Sequence, residues 1–121
     1  MGFDPVEEIT RFHAAIDALD FEAIEAYFAE DATYVSNGVG SLSGRAAIMV
    51  AFRKYFDDYP DQTAFNTLVE KVSPKAGRAV WSVRATHSRS GKPLIREGEE
   101  TITFDEDGRV SHVEVTDYQA F

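Results

Sequence analysis

Residues 94–118 read LIREGEETITFDEDGRVSHVEVTDY, and this stretch decides the fold. Asp105-Glu106-Asp107-Gly108 is a turn signal between two runs rich in Thr, Val and Ile, so Leu94–Phe104 and Arg109–Tyr118 read as the two strands of a hairpin. A strand shows one face every second residue. Arg96, Gly98, Glu100, Ile102 and Phe104 therefore share a face, with Glu97, Glu99, Thr101 and Thr103 on the other. In the second run Val113, Val115 and Asp117 go together.

Working backwards, Arg78–Ser88 alternates in the same way. Trp81, Val83, Ala85 and His87 lie on one face, and Val80, Ser82, Arg84 and Thr86 on the other. Thr63–Ser73 is a further strand, closed by the turn residues Ser73-Pro74-Lys75-Ala76-Gly77. If Gly91-Lys92 is the centre of a two-residue hairpin, Trp81 lies opposite Ile102, Val83 opposite Glu100, Ala85 opposite Gly98 and His87 opposite Arg96. If Asp105–Gly108 is a four-residue loop, Glu100 faces Val113, Gly98 faces Val115 and Arg96 faces Asp117. Both registers put the same residues on one face, which a slip of one residue would destroy.

The first half is helical. Asp4-Pro5-Val6-Glu7 combines a capping Asp, a Pro suited to the first turn and a Glu that can reach back. Val6, Ile9, Phe12, Ile16 and Leu19 follow at helical spacing. Asp20 restarts a short helix carrying Phe21, Ile24, Tyr27 and Phe28, and residues 31–37 (DATYVSN) read as a short strand. Gly38, Gly40 and Ser41 read as a loop. Ser43 is the expected cap of a third helix, striped with Ile48, Phe52, Tyr55, Phe56 and Tyr59 and ended by Pro60. Helices first and a meander after is an α+β plan.

At 121 residues, with 44% apolar and 27% charged side chains, the chain suits one globular domain spanning 1–121. Twelve basic against 21 acidic residues, a net charge of −9, leave no positive footprint for nucleic acid. No apolar run is long enough for a membrane span, no basic-then-apolar leader is visible, and a cytoplasmic address is the default expectation. With no cysteine there is neither a disulfide nor a thiolate nucleophile. The three histidines have no metal-ligand spacing, the REGEE run lacks a calcium loop, and no Gly-rich phosphate loop is present. Neither a metal nor an organic cofactor is expected.

Three stretches carry a family resemblance: RFHAAIDALDFEAIEAYFAEDATY (11–34), GRAAI (44–48) and TITFDEDGRVSHVEV (101–115). They resemble the nuclear transport factor 2-like superfamily, and within it the SnoaL-like polyketide cyclases and ketosteroid isomerases. The resemblance implies a cystatin/NTF2-like cone, with three N-terminal helices packed on a strongly curved, mainly antiparallel sheet around a pocket. It also implies a homodimer through the outer sheet face. In ketosteroid isomerases an Asp base works with a Tyr and a protonated Asp as oxyanion donors. The tyrosine position falls here at Phe12, the base at Ser36 or Asn37, and the oxyanion acid at Glu100. With the tyrosine and the base replaced, the chain is not expected to be a true ketosteroid isomerase. The polyketide-cyclase pattern of a His and an Asp near the ends of the later strands is met by His87 and Asp117, although Val115 holds the usual place of the acid.

Glu100 is the leading candidate, because a carboxyl ringed by apolar side chains is a ready proton donor or shuttle. The alternative is a structural ion pair with Arg96 or His13. His87 could act as a general acid or base, or simply bond Asp117 at the pocket rim. Asp117 could orient His87 or neutralise Arg96, and His13 could look into the cavity or into helix packing. Phe12, Tyr34, Asn37, Phe56, Trp81, Val83, Arg96, Ile102 and Val113 are the expected ligand-binding residues, with Tyr34 able to supply the hydroxyl that Phe12 lacks. The expected function is binding of a small apolar molecule, with acid–base isomerase or cyclase chemistry on a carbonyl or polyketide-like compound. The alternatives are a binding module without catalysis and a dimeric protein-interaction domain.

Overall fold

The computed structural model describes residues 3–36 and 40–120. In chain order the elements are α1 (Pro5–Asp17), α2 (Phe21–Tyr27), β1 (Phe28–Ser36), β2 (Gly40–Ser43), α3 (Arg45–Asp58), β3 (Thr63–Ser73), β4 (Ala76–Thr86), β5 (Pro93–Phe104) and β6 (Val110–Ala120). No helix among the described residues is long and apolar enough to cross a membrane.

Local chemistry accounts for the helix starts. Asp4 Oδ1 accepts the Val6 amide at 3.0 Å with Pro5 opening α1, and Asp20 Oδ1 accepts the Ala23 amide at 3.2 Å for α2. Leu19, at φ 54°, makes the corner between them. Helix α3 differs from expectation. Its cap is Gly44 (φ 93°, ψ 142°), with no side-chain capping bond, and Ser43 belongs to β2. The Gly44 conformation lies where a Cβ is strained. Gly40 and Ser41, expected in a loop, belong to a short strand instead, while Gly38 lies outside the described residues, and β1 starts at Phe28, three residues before the expected Asp31.

The six strands form one sheet in the order β2-β1-β6-β5-β4-β3. This corrects the expectation of a strongly curved sheet, although four of its five pairings are antiparallel, as expected. The sheet is open and mixed: β1 runs parallel to β6, and β2 and β3 are free edges that do not meet. The parallel pair arises because the chain places β2, α3 and the β3–β5 meander between β1 and β6, so β6 returns beside β1 by a long crossover.

Both hairpin registers also differ from the expected ones. Ala79 faces Glu100, Trp81 faces Gly98 and Val83 faces Arg96, a displacement of four residues from the two-residue hairpin. The cause is a six-residue connection, 87–92, tied to the end of α3: the Ser88 amide donates to the Asp58 carbonyl at 2.7 Å and Arg89 pairs with the Asp58 carboxylate at 2.6 Å. Between β5 and β6, Glu100 faces Val115, Gly98 faces Asp117 and Ile102 faces Val113, two residues from expectation. Here the turn spans 105–109, and a bulge beside Phe104 adds one residue more. Both displacements are even, so every side chain stays on its expected face.

Ile9, Phe12, Ile24, Phe28, Ile48, Ile102, Val110 and Val113 are fully buried and form the core. Helix α1 packs on β3 and β4, and α3 on β1 and β2. The close approach of α1 depends on Gly77, where an added Cβ would lie 2.4 Å from Ile9 Cδ1. With helices over the two flanks of one sheet face, the inward side chains of β4, β5 and β6 are left to floor a hollow between them.

Candidate functional site

That hollow is a cavity of about 430 Å³, within the range of ordinary small-molecule sites. Its wall is mostly apolar and aromatic: Ile16, Leu42, Phe52, Phe56, Trp81, Val83, Leu94 and Val115 line it, with Tyr34, Tyr55 and Tyr59 turning rings towards it. The rings brace one another edge to face. Phe52 meets Phe28, Tyr34 and Phe56 at centroid distances of 5.8, 5.7 and 6.4 Å.

Two polar groups are set into this wall from the same face of β5. The first is built on Glu100, whose carboxylate pairs with His13 Nε2. His13 follows the buried Phe12 on α1, so packing of the helix aims the imidazole at the sheet. On its far side, Asn66 Nδ2 donates to His13 Nδ1 at 2.9 Å. With Nδ1 accepting, the neutral ring carries its proton on Nε2, directed at Glu100. The His13 and Glu100 side chains are only 17% and 13% exposed. Burial disfavours the imidazolium, but the charge and hydrogen bond of Glu100, with smaller help from Asp17, outweigh it and hold the His13 pKa above its ordinary value.

The second group is Arg96 and Asp117, joined at 2.8 Å from Nη2 to Oδ1. The guanidinium also lies 5.0 Å from the centre of the Trp81 ring, a cation–π contact. Gly98 makes this arrangement possible. A Cβ there would lie 2.4 Å from the Thr116 carbonyl oxygen and 2.9 Å from the Trp81 ring, so the indole crosses β5 where no side chain stands. Tyr55 lies by Arg96 and donates its hydroxyl to Gln62 Oε1. Burial pushes the Tyr34 phenol well above its usual range, and Glu100 adds to this while Arg96 opposes it. Tyr34 therefore stays protonated and senses both polar groups. Burial likewise raises the Tyr55 phenol, against the pull of Arg96.

Of the residues singled out from sequence, Tyr34, Phe56, Trp81, Val83, Arg96, Glu100 and Asp117 all line the cavity. Phe12, Ile102 and Val113 lie in the packed core instead, at 2%, 0% and 0% exposure. Asn37 falls outside the described residues, whereas its neighbour Ser36 lines the cavity. His87 does not join Arg96 and Asp117. The longer hairpin puts Val83 opposite Arg96 and leaves His87 in the turn, where its Nδ1 accepts the Arg89 and Ser90 amides at 3.2 and 3.3 Å and its ring packs on Tyr59. Sequence reading does not single out Asn66 or Gln62. Asn66 carries a signal, being polar at an inward place on β3, but the bulge after it disguises the alternation.

A family model described as "SnoaL-like domain" matches residues 9–113. No curated protein matches the chain significantly in sequence. Solved structures do match. The epoxide hydrolase/cyclase-like enzyme SalBIII, associated with pyran ring formation in the polyether salinomycin, superposes with TM-score 0.81 at 17% identity, covering 92% of this chain and 88% of that one. The Mycobacterium tuberculosis protein RV0760c, solved with estradiol-17beta-hemisuccinate, gives 0.80 at 15% identity, covering 95% and 92%. A putative scytalone dehydratase from Novosphingobium aromaticivorans gives 0.77 at 15% identity, covering 95% and 82%. At these identities the structures show the shared fold, and the family match over most of the chain shows its membership: this protein belongs to the SnoaL-like family.

Proposed function

We propose that the protein binds a small, largely apolar organic molecule in this cavity and performs acid–base chemistry on it, as an isomerase or cyclase of a carbonyl or polyketide-like compound. One observation carries the reading: a hydrogen-bonded chain of Asn66, His13 and Glu100 ends inside a mainly apolar hollow. Glu100 takes a proton from carbon next to a carbonyl and returns that proton to a second carbon of the resulting enolate, while His13 donates its Nε2–H to the carboxylate and holds it in place. Tyr34 is the hydrogen-bond donor for the oxygen on which charge develops. Asp117 acts through Arg96. Relatives of this fold that include a cyclase-like enzyme and a steroid-ester complex are consistent with such a compact ligand.

A second reading, ligand binding without turnover, is favoured by the pairing of Glu100 with His13 and of Arg96 with Asp117. Deuterium exchange next to the carbonyl of a panel of cyclic and steroid ketones separates the two, alongside ligand-induced thermal stabilisation. Catalysis requires exchange that falls by about a hundredfold or more in Glu100→Gln while stabilisation persists. Saturable stabilisation without exchange in the unaltered protein establishes the binding module. For the outer sheet face we propose self-association. Phe65, Leu68 and Val72 on β3 are 58, 43 and 57% exposed there, an apolar set on an edge strand.

A further inference from the structure

The charges in the cavity wall are unequal. Asp17, Glu100 and Asp117 contribute three carboxylates, against one arginine and one histidine. Each base is already engaged. Arg96 is held by the Asp117 carboxylate, lies over the Trp81 ring and has Tyr55 beside it, and His13 is held between Glu100 and Asn66. Neither base is left to neutralise an incoming anion. Glu100 and Asp117 are likewise engaged, and Asp17 faces the charge of His13, so a cationic ligand finds no carboxylate without a basic neighbour. The two polar groups sit four residues apart on one face of β5, roughly 13 Å along the strand, with the Trp81 ring between them over Gly98.

Building on the ligand-binding reading above, we propose that the cavity selects uncharged molecules, with an apolar body lying along Trp81 and a neutral oxygen at each polar group. Asp117 is then the residue that sets this selectivity, by cancelling Arg96. Removing its charge leaves a buried guanidinium without its carboxylate, and a ligand carboxylate becomes the replacement. A buried charge left unpaired is costly, which gives the selectivity its size.

Trp81 is the one tryptophan of the chain and lines the cavity, so its fluorescence reports occupancy directly. Three matched probes suffice: methyl 4-cyclohexylbutanoate, 4-cyclohexylbutanoate and 4-cyclohexylbutylamine, titrated where the acid and the amine are both ionised. The ester is expected to bind about a hundredfold or more tighter than the carboxylate, and tighter than the amine. In Asp117→Asn the ester-to-carboxylate affinity ratio is expected to fall about tenfold or more. If that variant does not fold, the three-probe order in the unaltered protein decides alone. Equal or tighter binding of either ion by the unaltered protein overturns the selectivity and leaves the ligand site standing. No change in the ester-to-carboxylate ratio in Asp117→Asn overturns the role of Asp117. No saturable response to any probe removes the ligand site itself, and the selectivity with it.

Discussion

His13 shows how one contact sets the behaviour of a site. Its folded pKa is raised, so its contribution to stability is complete below the unfolded value near 6.5 and is lost as pH rises through the folded value. The urea midpoint is expected to decline across that interval. Glu100→Gln removes the largest influence raising the pKa and leaves burial, which lowers it. The His13 resonance in that variant is then expected to titrate below 6.5, against above 6.5 in the unaltered protein, as read by NMR. Gly98 offers a steric counterpart. Gly98→Ala pushes a methyl group against the Thr116 carbonyl and the Trp81 ring, and is expected to cost about 1–3 kcal/mol in denaturant unfolding with a shifted tryptophan emission. Glu100 was legible as an inward acid from strand alternation alone. Its pairing with His13 is not legible there, because the rotation of α1 about its axis depends on Ile9 seating over Gly77, a contact far apart in sequence.

At the scale of elements, the connection between β4 and β5 matters most. It is anchored on the end of α3 by the Asp58 carbonyl and carboxylate, by the Ser88 hydroxyl to the Asp57 carbonyl at 3.0 Å, and by His87 on Tyr59. Asp58→Ala is expected to lower stability by about 1 kcal/mol and to speed amide hydrogen exchange across residues 87–92, while exchange in β6 is unchanged. This anchoring also explains the limits of the sequence reading. Turn residues mark where a hairpin reverses, but the length of the connection was set by a helix end that alternation does not see. Because the resulting displacements were even, the faces were right although the partners were not. Arg96 and Asp117 were expected as neighbours and are joined, whereas His87 moved out of the group entirely. Strand β2 escaped notice because Gly40 and Ser41 are ordinary loop residues, and pairing with β1 alone makes them a strand.

For the whole molecule, the order of elements fixed the α+β class, but alternation within strands carries no information about which distant strands pair. The parallel β1–β6 contact and the open edges followed only from the assembled sheet. The outer face tests the proposed self-association. Leu68→Lys places a charge in the apolar set of β3 and is expected to shift the sedimenting species towards monomer, leaving the folded spectrum intact. A further result lies in where β6 sits. The strand latest in the chain is central, flanked by β1 on one side and β5 on the other. During synthesis, a nascent chain that has not yet reached Val110 holds two sets of strands with no pairing between them, the β1–β2 pair and the meander, with the lining of the ligand chamber divided between them. Assembly of that chamber must therefore wait for the end of translation of this domain, and the exposed flanks of both pieces are what a chaperone would meet in the interval.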